Sequence, residues 1–156
     1  MTPERTPAAD ALTDLIIDVF RLNGLLVTAG DRMVAQLGLT STRWQVLRAI
    51  VDAEHPEPVA WLARDMGGNR QNVQRIVNDL QKMGLVTLEV NPHHRRASLV
   101  VLTDKGRWTY DEASRLQAPW ANRLSEDLAI KDIDTTRRVV AELRKRLELN
   151  GERAST

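Results

Sequence analysis

The sequence predicts a mainly α fold that carries one small β-hairpin. Three observations lead there. Apolar residues recur at spacings of three and four through most of the 156 residues, the period drops to two between about residues 85 and 102, and two short helical segments just before that stretch are separated by Gly67-Gly68. A chain of this length buries roughly 68–70% of the surface its extended form exposes, enough for a core of its own.

Composition narrows the chemistry before any motif is considered. The 22 Lys+Arg and 21 Asp+Glu leave a formal charge of +1, which excludes an acidic solvating tail and a uniformly polybasic chain. Zero cysteines exclude disulfides, thiolate metal sites, cysteine nucleophiles and thiol redox sensing. Three histidines do not build a zinc cage by themselves, so no metal or cofactor is expected. No apolar run approaches the roughly 18 residues of a membrane span. Met1–Asp10 lacks the basic-then-apolar order of a signal peptide. A cytoplasmic protein with no membrane partner is expected.

The elements follow in order. Met1–Ala9, with Pro3 and Pro7, reads as a loose arm. From Asp10, residues Leu12, Leu15, Ile16, Val19, Leu22, Leu26 and Val27 form one stripe of a long helix continuing towards Leu37. Thr40 or Ser41 caps the next helix, where Trp44, Leu47, Ile50 and Val51 line one face. His55-Pro-Glu-Pro58 stops it as a short connection, and Val59–Met66 forms a short helix with Leu62 and Ala63 inward. After Gly67-Gly68, Asn69 supplies a cap oxygen to a helix whose buried stripe is Val73, Ile76, Val77 and Leu80, ended by Gly84. This pair is a helix-turn-helix.

Val86, Leu88 and Val90 then alternate with Thr87 and Glu89 as a half-buried strand. Asn91–Arg96 is a polar turn and Ser98–Leu102 a second strand, which makes residues 85–102 a hairpin with a charged tip. Thr103 can cap a long helix from about Asp104 to Ala118 or beyond, with Trp108, Ala113 and Leu116 among its buried candidates. Pro119 bends or interrupts that helix. A last helix covers about 125–149, with Leu128, Ile133, Val140, Leu143 and Leu147 apolar. The two end helices expose stripes that pack either on the same chain or on a second subunit.

Catalysis finds no support. There is no phosphate-binding glycine loop, no His-Glu-x-x-His and no nucleophile elbow, and His93 and His94 read as a basic loop tip. We therefore expect no enzyme activity. Charge points elsewhere. Residues 59–107 hold eight basic and four acidic side chains, whereas residues 1–58 hold five and eight. Within that basic middle, Arg70, Gln71, Asn72, Gln74 and Arg75 lie outside the buried stripe of their helix, on a face without Asp or Glu until Asp79. Arginine can span guanine O6 and N7, and glutamine or asparagine the adenine equivalents. Arg64 and Lys82 are candidate phosphate contacts. His94, Arg95 and Arg96 at the hairpin tip can reach phosphates or a minor groove, completing a winged helix-turn-helix. Trp44 and Trp108 are candidates for holding a small aromatic ligand, core packing being the other explanation.

An ordered set of segments carries a resemblance. Leu39-Thr40, Trp44-Gln-Val-Leu47, Trp61-Leu-Ala63, Asn69-Arg70 with Val73, Arg75-Ile-Val77, Leu80 and Gly84-Leu-Val86, then Asn91–Arg96 and Leu102-Thr-Asp-Lys-Gly106, together resemble the MarR family of bacterial transcription regulators over about residues 10–150. The resemblance implies a two-fold homodimer that binds pseudopalindromic duplex DNA, often as a repressor released by a small aromatic or anionic effector. It implies an N-terminal dimerisation helix at 10–38, a DNA-binding winged helix-turn-helix at 39–103 and C-terminal linking and dimerisation helices at 104–150. Leu12, Leu15, Ile16, Val19, Val140, Leu143 and Leu147 then fall in the dimer interface, and the recognition helix on Asn69–Met83. The family's cap serine is Asn69 here. Its wing pattern Asp-x-x-Asp-Arg-Arg appears as Asn91, His94, Arg95 and Arg96, with Arg96 matching the minor-groove probe. Pro58 stands where a capping Thr or Ser is frequent. The altered wing leaves an alternative open, a winged-helix module that binds a ligand or protein without specific DNA recognition.

Overall fold

The computed structural model describes residues 4–154. Among the described residues, six helices and three short strands run in the order α1 (Pro7–Val34), a 3-10 turn (Ala35–Leu37), α2 (Ser41–Asp52), β1 (Glu57–Pro58), α3 (Val59–Asp65), α4 (Arg70–Lys82), β2 (Val86–Glu89), β3 (Leu99–Leu102), α5 (Asp104–Leu124) and α6 (Ile130–Ala154). The described residues form two compact units, one running to Leu116 and the other starting at Gln117. None of the helices in the described residues is long and apolar enough to cross a membrane.

The first unit is a mostly helical winged helix. Its core gathers Val34 and Leu39 with Val46 and Leu47 of α2, Val59 and Leu62 of α3, Val73, Ile76, Val77 and Leu80 of α4, Val86 and Val100 of the strands, and Ala113 of α5. Burying a Val, Leu or Ile side chain is worth about 1.5–3 kcal/mol, so this cluster fixes where α4 lies. At the α1–α2 crossing, a side chain on Gly30 would press on Ser41, and the Ser41 N–H donates to Asp31 Oδ1 at 2.6 Å.

Several expectations need correction. The loose arm expected at 1–9 is described from Glu4 onward; Met1–Pro3 lie outside the described residues. Helix α1 starts at Pro7, not Asp10, because Thr6 caps it and accepts from the Ala9 N–H at 3.2 Å while Pro7 takes a first-turn position that needs no N–H donor. The expected hairpin is a three-stranded antiparallel sheet of order β1-β3-β2, in which Glu57 pairs with Val100 and Pro58 with Leu99. Pro58 thus begins α3 without a side-chain cap, its backbone fixed instead by sheet pairing. In β2 only Val86 is buried; Leu88 is exposed, and Val90 lies past the strand at 78% exposure.

Three further corrections concern the C-terminal half. Trp108 was expected inside but is 58% exposed. Pro119 does not end α5, which runs on to Leu124. Helix α6 begins at Ile130 rather than near 125, after a turn in which Asp127 has φ of 64°.

Candidate nucleic-acid interface

Helix α4 is built so that one side is fully committed to the core. Its buried residues sit at spacings of three and four, which forces Gln71, Arg75, Asn78 and Lys82 onto the opposite side, and all four are exposed. Asn78 was missed by the sequence reading, although its spacing from Gln71, Gln74 and Arg75 was the available signal. Arg70 and Asn72 are exposed at the helix start. Gln74 is half-buried at the edge of the stripe, its Nε2 donating to Asn78 Oδ1 at 3.0 Å.

Both ends of α4 are fixed. Asn69 Oδ1 accepts from the N–H groups of Gln71 (2.9 Å) and Asn72 (3.2 Å), so that oxygen is used in capping. At the other end Gly84 has φ of 74°, and the Leu85 N–H donates back to the Leu80 carbonyl at 2.9 Å. The acidic residue that breaks the polar stretch, Asp79, is paired within the lobe: Arg43 of α2 reaches its Oδ2 at 3.2 Å. The outward stripe consequently presents cations and amides, and the half-buried carboxylate beside it is paired with Arg43.

The wing is held by Asn91. This buried residue accepts from the His93 N–H at its Oδ1 (3.0 Å), while its carbonyl accepts from the His94 N–H (3.3 Å). The Ala97 N–H closes the turn on the His94 carbonyl at 3.0 Å. The fixed turn leaves His94, Arg95 and Arg96 exposed. Arg64 of α3 is also exposed. The structure brings Arg70, Gln71, Arg75 and Lys82 onto one helix and keeps the wing residues on a separate ribbon of the same lobe.

The tryptophan candidates separate. Trp44 is half-buried against the core. Trp108 lines a cavity of about 360 Å³ with Leu37, Met83, Leu85 and Lys105, and Trp44 does not contribute to it. A second cleft, of about 380 Å³, lies between α2 and the end of α3, lined by Gln45, Arg48, Asp52 and Asp65. Near α3, Glu57 Oε2 is buried with no hydrogen-bond partner among the described residues. Burial first, and then the Asp65 carboxylate, push the Glu57 carboxyl above the usual range, partly offset by His55. Among the described residues, no group of three or more acidic or His side chains is placed to hold a metal ion.

A helix-turn-helix with an exposed cationic and amide face, followed by a basic wing, defines a DNA-binding regulator of the winged-helix class. Comparison with known proteins is consistent at every level. The sequence profile of the MarR family matches residues 37–97. The chain is 38% identical over 129 residues to the uncharacterized protein Rv2011c of Mycobacterium tuberculosis, covering 83% of this chain and 89% of that protein. It is 28% identical over 137 residues to the transcriptional activatory protein BadR of Rhodopseudomonas palustris, covering 83% and 78%. Its fold superposes on the M. tuberculosis regulator MosR, solved in complex with DNA, with a TM-score of 0.73 and 25% identity over 86% of this chain and 96% of that one. The chain belongs to the MarR family of transcription regulators.

Proposed function

We propose that the protein is a homodimeric repressor that binds a pseudopalindromic operator and carries out no catalytic step. The observation that carries this reading is the outward stripe of α4, where Gln71, Arg75, Asn78 and Lys82 face away from the core and Asp79 is neutralised by Arg43. Gln71, Gln74, Arg70 and Asn72 read base edges; Arg75, Arg64 and Lys82 meet phosphates; Arg96 enters the adjacent minor groove, flanked by Arg95 and His94. Asn69 serves this contact through its cap. Repression follows from occlusion of the promoter, in the cytoplasm where the DNA lies.

The homodimer is supported by what a single chain leaves uncovered. On α1, Phe20 is 73% and Leu25 70% exposed, with Ile16, Ile17, Val19 and Leu22 beside them in sequence; on α6, Val140 and Leu147 are exposed as well. Leu12, Leu15 and Leu143 are half-buried. Apolar exposure on this scale marks an interaction surface. A two-fold pair sets two recognition helices about 34–36 Å apart or at a multiple of that distance. A small aromatic or anionic effector is supported by the cavity beside Lys105 and Trp108, which joins a cation to an exposed ring.

Selection from random duplexes tests the reading. It is supported by enrichment of an inverted repeat, and it is defeated by the absence of any enriched sequence. On the selected operator, Arg96→Ala should weaken binding about tenfold, comparable to one mismatched base pair. Binding should also weaken steeply with salt as phosphate contacts release counterions; affinity that stayed flat would remove the proposed footprint.

A further inference from the structure

The segment Thr103-Asp-Lys-Gly106 lies outside the recognition helix and the wing tip, yet it makes contacts that fix the exit of α4. Helix ends leave carbonyls unsatisfied, and just past α4 the carbonyls of its cap Met83 and of Gly84 are met by Lys105 and Thr103 at the start of α5. Lys105 Nζ donates to the Met83 carbonyl at 2.9 Å. The Thr103 hydroxyl donates to the Gly84 carbonyl at 2.8 Å and accepts from the Gly106 N–H at 3.0 Å, so one oxygen joins the end of α4 to the first turn of α5. The Thr103 N–H donates to the Leu85 carbonyl at 3.1 Å. A side chain on Gly106 would run into that same Leu85 carbonyl, so its absence is what permits the approach.

These contacts differ in kind from the other end of α4. There the cap comes from Asn69, the residue next to the helix, and it fixes only local backbone. Here donors come from residues 19 and 22 positions downstream. They tie the recognition helix to α5, which continues past Leu116 into the second compact unit.

We infer that Lys105 and Thr103 are positioning residues for DNA recognition: they clasp the carbonyls of Met83 and Gly84 in the turn that closes α4 and set the direction in which Gln71 and Arg75 face the operator. Neither residue needs to touch DNA for this. The cation at the helix C-terminus also interacts favourably with the partial negative charge there. The inference rests on the regulator reading above, and it adds the route by which a displacement of α5 reaches the base-reading side chains.

The test compares wild type with Lys105→Met, Lys105→Arg, Thr103→Val and Thr103→Ser, in the full chain. Binding to the selected operator and to unrelated duplex is measured across a salt series, at a temperature where circular dichroism shows each variant folded. Lys105→Met and Thr103→Val should lower operator affinity about tenfold, the size of one lost base contact, and leave unrelated duplex unaffected. Lys105→Arg and Thr103→Ser, which keep the donors, should restore most of it. If Lys105 met a phosphate directly, the salt slope would fall by about 0.9 and both duplexes would suffer together, which overturns the inference. Unchanged operator affinity in a folded Lys105→Met overturns it as well. Amide hydrogen exchange in the DNA-free protein gives an independent reading: residues 80–85 should exchange faster in Lys105→Met while residues 70–74 do not, and equal rates would refute the clasp. If wild type selects no duplex, the regulator reading fails, and exchange still decides whether the clasp exists.

Discussion

Helices α4 and α1 are both amphipathic, yet they stand in opposite relations to the rest of the chain. The four apolar residues on the inner side of α4 are all buried, against α2, α3 and the strands. Helix α1 is more than twice as long, and of its residues only Gly30 and Val34 are buried, both near its C-terminal end where it meets α2. Phe20 and Leu25 stay mostly exposed. The period of a sequence reveals that a helix has an apolar side; what covers that side is decided by the remaining surfaces. For α4 the cover lies within the same lobe. For α1 the single chain leaves it bare, and a second copy is the proposed cover.

That contrast can be broken experimentally, and the largest effect belongs to the covered helix. Leu80→Ala should destabilise the lobe by about 2–5 kcal/mol, since Leu80 is fully buried and the gap it leaves relaxes only in part. Thermal unfolding checks this, and a change under 1 kcal/mol would mean that α4 is not held as described. Phe20→Asp should do the reverse. It should barely alter the lobe and weaken self-association about ten- to a hundredfold, as expected for removing one large apolar side chain from an interface. Sedimentation velocity over a dilution series reads this directly, and an unchanged dimer would show that α1 is covered by something else.

The smallest effect sharpens the picture within the lobe. The Glu57 carboxyl is pushed up by burial and by Asp65, so the fold favours its protonated form. Such a group makes the protein lose stability as pH rises from the ordinary carboxylate value through the raised one. Glu57→Gln should flatten that part of the pH–stability curve and raise stability slightly at neutral pH. Denaturant midpoints for both proteins between pH 4 and pH 8 provide the check, and parallel curves would mean that Glu57 is adequately solvated.

What the sequence made legible was local. The limits of α4, its Asn69 cap, its Gly84 stop and its inner stripe all depend on residues within a turn of each other, and the structure agrees on each. The misreadings were long-range or positional. Strand β1 is two residues long and exists because Glu57 and Pro58 pair with residues more than 40 positions away. Pro7 falls in the stretch that reads as a loose arm, although in the first turn of a helix proline is compatible with it. Trp108 lies on an amphipathic helix near the core, and its spacing alone did not tell that its ring would face outward. On the candidate interface, the helix and the wing were legible, while Asn78, the Arg43–Asp79 pair and the contacts of Thr103 and Lys105 were not. Each of those last three is an ordinary surface side chain until the fold supplies its neighbour.

The missing side chain at Gly106 has a consequence for how such a protein can change. Because the nearest obstacle there is the Leu85 main-chain carbonyl, with the Leu102 side chain also close, no rotamer of a neighbour clears the space and no substitution elsewhere makes room cheaply. Variation in operator preference is therefore free to accumulate on the outer stripe of the recognition helix, whereas the joint behind it admits one residue only. A lineage can rewrite what it reads, but not the pivot on which the reading head is mounted.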